Sequence, residues 1–213
     1  MIIGIHGRKQ CGKDTICKII QLLDIYKGEG RKNDEIQFIK SRLTNSFYVN
    51  NHSIYEKHAF ADNLKACASI VLGEPVEYFE LEFFKNSFTA IPISNQEGEP
   101  MTNREFLQIL GTEIGRNIDK DIWVKSLFRE YNKDLDWIIP DVRFVNEAEA
   151  IKSRGGILIK VERDTGYTDN HASEHALDNY TNFDYVIQNN GTIEELISKV
   201  KEILLKERLY TNV

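Results

Sequence analysis

The sequence predicts an α/β fold, a parallel sheet with helices on both faces, and three observations predict it. Short apolar runs that read as buried strands alternate with runs of helical periodicity along most of the chain. The first such strand leads at once into a glycine-bearing turn and then an amphipathic helix, the opening of a phosphate-binding βα unit. The 213 residues, 41% apolar and 28% charged, suffice for one domain carrying mobile flaps and have the composition of an ordinary globular protein rather than a disordered one.

Ile2, Ile3 and Ile5 form the first strand; behind the turn, Ile16, Ile19, Ile20 and Leu23 recur at i, i+3, i+4, i+7, one face of a helix. Residues 27–53 are polar and irregular, read as an insertion with one helix at most. Thr102-x-x-Glu105 is a capping box, and Phe106, Ile109, Leu110 and Ile114 supply the apolar stripe behind it. A further helix is expected from about Asp121 to Asn132. Trp137 to Pro140 reads as a strand, Val145, Ala148 and Ile151 mark the next helix, and Gly156 to Val161 is again a strand. The stretch 164–182 is polar and aperiodic. Phe183 to Ile187 returns to strand, and Thr192-x-x-Glu195 caps a last helix carrying Ile193, Leu196, Ile197, Val200 and Leu204. Repeats, low-complexity tracts and Pro-rich linkers are absent.

The bulk numbers narrow the function. A net charge of −6 argues against broad nucleic-acid binding, which needs a basic face, but leaves room for a basic pocket holding one nucleotide. No apolar run approaches the roughly 20 residues that span a bilayer, and the opening Met1 to His6 is too short for a signal-peptide core, so no membrane association and a cytoplasmic setting (the host cytoplasm, if the chain is viral) are expected. Cys11, Cys17 and Cys67 are odd in number and lack metal-ligand spacing, so reduced thiols are expected. His171 and His175 lie four apart without a third ligand cluster, which does not make a zinc site.

The chemistry-bearing motif is Gly7-Arg-Lys-Gln-Cys-Gly12-Lys13-Asp14-Thr15, a G-x-x-x-x-G-K loop. Glycines are required where backbone N–H groups close around phosphate oxygens, and the helix that follows aims its positive end at them. By chance the pattern should occur in roughly 6 of 100 chains this long; a strand directly before it and an amphipathic helix directly after make accident a poor account. Gly7, Lys9, Gly12, Lys13, Asp14 and Thr15 are therefore the donor-nucleotide candidates, with Lys13 bridging the β- and γ-phosphates of ATP. Asp14 departs from the usual Ser or Thr. It could ligate Mg²⁺ or one of its waters, or only complement the helix dipole. Asp141-Val-Arg143 follows a buried strand, whose carboxyl end faces the ligand crevice in such sheets. Arg143 suits a pair of phosphate oxygens, and Asp141 is the second metal candidate; an Asp–Arg pair capping the next helix is the alternative.

The GKDT loop, Arg104-Glu-Phe-Leu-Gln108-Ile-Leu-Gly111-Thr112-Glu113, Trp123-Val124, Asp141-Val-Arg143 and Asn189-Asn190-Gly191-Thr192 together resemble the deoxynucleoside monophosphate kinases of tailed phages, in consistent order from Gly4 to Leu204. The resemblance implies a three-layer P-loop nucleoside monophosphate kinase fold with a five-stranded parallel core (1–26, 136–163, 183–213), an acceptor-binding flap at about 56–120 and a lid at about 164–182. It implies ATP and Mg²⁺ as cofactors, a deoxynucleoside monophosphate as acceptor, and leaves homodimerisation open. Lys65 and Arg104 become acceptor-phosphate candidates, Gln108 a base contact four residues from Arg104, Arg163 a donor-phosphate or adenine contact, and Asn190 and Gly191 the border of adenine. The insertion 27–53 has no counterpart in the family.

Rivals on the same fold are kinases of other phosphorylated metabolites, such as phosphomevalonate or dephospho-coenzyme A, or a nucleotide-binding module without catalysis. A regulatory GTPase would carry N-K-x-D and D-x-x-G motifs, which are missing. A DNA-translocating ATPase would favour an acidic pair where Val142 follows Asp141.

Overall fold

A computed structural model of the protein describes residues 1–30, 34–95, 97–166 and 172–210. They form two compact units, one of Met1–His58 with Asn132–Val213 and one of Ala59–Tyr131.

The first unit holds a five-stranded sheet of β1 (Ile2–His6), β2 (Tyr55–Lys57), β3 (Asp136–Ile139), β4 (Ile157–Glu162) and β5 (Tyr185–Gln188). The order is β2-β3-β1-β4-β5, and every pairing is parallel. β2 and β3 lie on one side of β1 and β4 and β5 on the other, so the strand order reverses at β1, the point where such sheets open a crevice beyond their carboxyl ends. The sequence yields four of these strands. It misses β2, whose three residues Tyr-Glu-Lys carry no apolar run and lie at the sheet edge.

Period-two alternation fixes both faces. Ile3 and Ile5 of β1, Ile138 of β3, and Ile157, Ile159 and Val161 of β4 enter one core with α1 (Lys13–Gly28) and the last helix, Ile193–Lys206. Gly4, one step out of phase, faces the opposite layer, where a Cβ would meet Ile151 at 2.6 Å. Ile151 belongs to the helix Val145–Lys152. The amphipathic spacing of α1 delivers Ile16, Ile19, Ile20 and Leu23 to the core, where each is fully buried; a buried Ile or Leu side chain contributes about 1.5–3 kcal/mol.

The stretch 27–53 holds two helices where the sequence predicts one, Glu35–Arg42 and Ser46–His52. Phe38, Ile39 and Val49 join the main core. The first of these helices is pinned to the last helix by Lys201, 2.9 Å from Glu35, and by the Tyr210 hydroxyl donating to the same carboxylate at 2.6 Å. Ile36, Ile39 and Leu43 do fall at helical spacing, a short signal among polar residues that the sequence reading passed over.

The second unit is helical: Asp62–Leu72, the single-turn 3-10 segment Val76–Glu80, Glu82–Lys85, Asn103–Gln108, Arg116–Ile118 and Ile122–Phe128. The expected capping box is present, with Thr102 accepting from the Glu105 N–H and Glu105 accepting from the Thr102 N–H. Behind it the chain widens into a π-helix over Ile109–Gly115. The i→i+5 bonding of that form shifts the phase of the helix face. Phe106, Leu107 and Leu110 pack on Ala68, Leu72 and Phe79, whereas Ile114 is 50% exposed, contrary to an α-helical stripe. Gly111 and Gly115 admit close neighbours there, Leu64 and Trp123. The helix expected over 121–132 ends at Phe128.

Among the described residues no helix is long and apolar enough to cross a membrane. Cys11, Cys17 and Cys67 are free thiols, the first two buried.

Two stability predictions follow from buried polar contacts. His6 is 6% exposed, and its Nδ1–H donates to the Val142 carbonyl at 2.8 Å. Burial pulls its pKa below the usual histidine value despite that bond, helped by the charges of Lys13, Lys160 and Arg143. A lowered folded pKa means that the unfolded chain takes up the proton first, so stability is full above about pH 6.5 and is lost as pH falls through the folded value. Urea unfolding between pH 7.5 and 5 should therefore show a steeper loss for the wild type than for His6→Gln; parallel profiles would refute it. In the second unit, Trp123 Nε1 donates to the Gly111 carbonyl at 2.8 Å. Trp123→Phe removes that side-chain bond to the carbonyl and should cost about 0.5–1.5 kcal/mol by denaturant titration.

Candidate functional site

The loop between β1 and α1 is built by close approach. At Gly7 a Cβ would lie 2.5 Å from Cys11 Sγ and 2.6 Å from the Val161 carbonyl oxygen. Gly12 has φ +104°, and a Cβ there would lie 2.5 Å from Asn189 Nδ2. Both positions exclude a side chain, the first by space and the second by space and backbone conformation together. Gln10 also adopts positive φ, 65°. Asn189, buried just beyond β5, fixes the loop from outside: its Nδ2 donates to the Cys11 carbonyl at 2.8 Å, and its own N–H donates to the Glu162 carbonyl at 2.8 Å. Sequence reading singled out the next two residues, Asn190 and Gly191, and passed over Asn189. Asn190 instead meets the segment leaving β4, accepting from the Asp164 N–H at 3.0 Å, and Gly191 is exposed.

Lys13 opens α1, and its ammonium folds back over the loop, donating to the carbonyls of Gly7 at 2.6 Å and Arg8 at 2.9 Å. Burial lowers its pKa, and the charge of Arg143 lowers it further, against the nearby Cys11, Glu174 and Asp14. The two cations are thus electrostatic neighbours. Asp14 lies in the first turn of α1 and accepts from Lys57 Nζ at 2.7 Å. Lys9 and Thr15 are half-buried in the loop and the first helical turn.

The Asp141-Val-Arg143 turn is sewn to the end of β1. The Val142 N–H donates to the Ile5 carbonyl at 3.3 Å, and the Val142 carbonyl accepts from His6. Glu147, almost fully buried, accepts from the Arg143 and Phe144 N–H groups at 2.8 and 3.1 Å and so fixes both the turn and the start of the next helix. Asp141 follows β3 by two residues and is half-buried. The Arg143 side chain is held by Glu174, which is 9% exposed, in a very short ion pair, and by Ser173 Oγ at 3.3 Å. Both partners lie in or beside the single helical turn Ala172–His175, within the stretch 164–182. Downstream, Asp178 meets Arg8 of the loop at 3.6 Å and His175 at 2.8 Å. Residues 167–171 of the expected lid, His171 included, lie outside the described residues. Arg163 follows β4 directly and is exposed.

In the second unit, Arg104 and Gln108 share the helix Asn103–Gln108. Arg104 pairs with Glu82 at 2.5 Å and donates to Asn86 Oδ1 at 3.1 Å. Lys65 pairs with Glu80 at 2.5 Å and stands 3.9 Å from Asp62. Gln108 is half-buried. Sequence reasoning missed Lys57, Glu174 and Asn189. None belongs to a spaced motif, and each is brought in from a distant segment; only the repeated Asn189-Asn190 hinted at one of them.

Among the described residues no group of three or more His, Cys, Asp and Glu side chains is gathered to hold a metal ion. Mg²⁺ in nucleotide sites needs no such cluster, since one or two carboxylates hold it with waters and phosphate oxygens completing the shell. Asp14 fits such a ligand: partial desolvation works against its charge, but the bond and charge of Lys57, with Lys13 and Lys18 behind, hold its carboxyl below the usual aspartate range.

A model of the deoxynucleotide monophosphate kinase family matches residues 54–200, a stretch that begins after the phosphate loop. The chain is 33% identical over 172 residues to a protein of Acanthamoeba polyphaga mimivirus named provisionally as a deoxynucleotide monophosphate kinase, covering 73% of this chain and 85% of that one. It is 35% identical over 117 residues to the deoxynucleotide monophosphate kinase of Escherichia phage RB69, covering 52% of this chain and 48% of that one. For the enzyme of Enterobacteria phage T4 the identity is 37% over 108 residues, covering 47% and 44%. The matched chain thus spans less than half the length of either phage enzyme. The family model, which covers more than half of the chain, and the mimivirus relative together show that the chain belongs to the deoxynucleotide monophosphate kinase family.

Proposed function

We propose that the protein transfers the γ-phosphoryl group of ATP to the phosphate of a deoxynucleoside monophosphate, giving ADP and the deoxynucleoside diphosphate. The observation that carries this reading is that Lys13 and Arg143 both follow the carboxyl ends of the adjacent parallel strands β1 and β3, in a chain of this family.

The acceptor phosphate is ionised at neutral pH and needs no strong general base. One of its oxygens forms the new bond to the γ-phosphorus while the bond from that phosphorus to the β–γ bridging oxygen breaks, and ADP leaves with the electron pair. The protein supplies position and charge. Lys13 exchanges the Gly7 and Arg8 carbonyls for β- and γ-phosphate oxygens, and Arg143 exchanges Glu174 for oxygens of the transferring group. Gly7, Lys9, Gly12 and Thr15 form the rest of the donor cradle, and Asn190, Gly191 and Arg163 belong to the adenosine and lid side. Lys65 and Arg104 bind the acceptor phosphate, and Gln108 reads the base. Asp14 and Asp141 would hold Mg²⁺, which when bound neutralises charge on the β- and γ-phosphates. The stretch 164–182 is assigned to excluding water, which would otherwise turn transfer into ATP hydrolysis.

A coupled ADP-release assay against every common deoxynucleoside and ribonucleoside monophosphate tests the reading. Acceptor-dependent ADP release is expected with at least one deoxynucleoside monophosphate; release no faster than with water alone, for all of them, sinks it. Lys13→Ala should abolish transfer while the protein still folds and melts cooperatively, since its ammonium serves phosphate rather than the core; loss of the folded state on thermal melting would contradict this. Arg143→Ala should lower kcat/KM by at least about two orders of magnitude, the scale of one charged donor lost from a transition state; near wild-type kinetics would remove Arg143 from the site.

A further inference from the structure

Asp14 stands where loops of this type carry a hydroxyl, so it brings a negative charge to a place built for phosphates. Lys57 answers it. It is the last residue of β2, registered against Ile138 of β3, and so lies at the carboxyl edge of the sheet with the loop and the Asp141 turn. Its Nζ reaches Asp14 Oδ1 at 2.7 Å, with 43% of the Lys57 side chain and 76% of the Asp14 side chain exposed. An ion pair so open to solvent adds little to stability. Nor does Asp14 need Lys57 to remain charged, since it sits at a helix N-terminus within the field of Lys13 and Lys18.

The pair matters for charge. While Asp14 and Lys57 are joined they cancel, and Lys57 adds no net positive charge to the loop. A divalent cation that takes the Asp14 carboxylate separates them. The Lys57 ammonium, anchored to a strand by its main chain, then stands beside phosphate oxygens with its former partner engaged. We propose that Lys57 is a second phosphate-binding cation of the donor site, held by Asp14 until a divalent cation takes that carboxylate. The assignment rests on the kinase reading above and deepens it: the metal ion recruits a lysine as well as adding its own charge, so it strengthens nucleotide binding by more than its coordination alone.

Calorimetric titration of the intact protein with a non-hydrolysable ATP analogue, in EDTA and in Mg²⁺, tests this in the wild type, Lys57→Met, Lys57→Arg and Asp14→Asn. In EDTA, Lys57→Met should lose only a small part of the affinity, the through-space repulsion of an Asp14 left uncompensated and screened by solvent. In Mg²⁺ its gain in affinity should be smaller than that of the wild type by about ten-fold or more, the scale of one charge-assisted phosphate contact, with Lys57→Arg recovering part of it. Asp14→Asn frees Lys57 without a metal and should bind the analogue more tightly than the wild type in EDTA. A metal-dependent gain in Lys57→Met equal to that of the wild type would make Lys57 a strap between β2 and α1 and overturn the proposal. An equal loss in EDTA and Mg²⁺ would also overturn it, since Lys57 would then be engaged with phosphate throughout. Asp14→Asn no tighter than the wild type in EDTA counts against it independently of how Lys57→Met folds. The wild-type titration reports on the kinase reading itself. Without nucleotide binding there, both fall; with binding and an unchanged variant ratio, only Lys57 does.

Discussion

The geometry of the site depends on how the chain turns from β1 into α1. A loop that closes backbone N–H groups around phosphate must bend tightly and present almost no side chain inward. Gly7 and Gly12 supply the room, and Asn189 supplies the hold, spanning 178 residues of sequence to donate to the Cys11 carbonyl. His6 ties the strand before the loop to the Asp141 turn through Val142. The β1–α1 loop, the Arg143 turn and the loop after β5 are therefore set by one small network at the centre of the sheet, where the strand order reverses.

A second constraint is electrostatic. A chain of net charge −6 that binds polyanions must keep its cations apart from one another when no phosphate is there to separate them. Here most of the cations proposed for the site have an internal anion or dipole of their own: Lys13 the loop carbonyls, Arg143 Glu174, Arg8 Asp178, Lys57 Asp14, Lys65 Glu80 and Arg104 Glu82. In the proposed reaction such partners would be exchanged for phosphate oxygens rather than water, which would lower the net gain per contact and sharpen selection for ligands of high charge density. The Arg143–Glu174 pair is the most buried of these, so its exchange has the largest desolvation term.

The second unit shows how a sequence motif can encode a backbone irregularity. Gln108-Ile-Leu-Gly111-Thr112 carries much of the family resemblance, and it begins the π-helical stretch. Gly111 and Gly115 let Leu64 and Trp123 approach the widened turn, and the Trp123 indole caps a carbonyl within it. Propensity and a period of 3.6 residues could not reveal this, which is why the apolar stripe was drawn through the exposed Ile114.

By itself the sequence determined what is local and periodic. The Ile-rich β1, the amphipathic α1, the glycine-lysine loop and both capping boxes are written in adjacent residues, because strand alternation, helix phase and N-terminal capping act over a few positions. The resemblance added the fifth strand in number, though not its location, since Tyr55–Lys57 has no apolar run to mark it. Only the tertiary structure decided which distant side chains complete the site. Asn189 on the loop, Glu174 on Arg143 and Lys57 on Asp14 are contacts across 178, 31 and 43 positions. Their specificity comes from strands being brought side by side, and a parallel sheet joins segments whose spacing along the chain carries no record of which ends will meet.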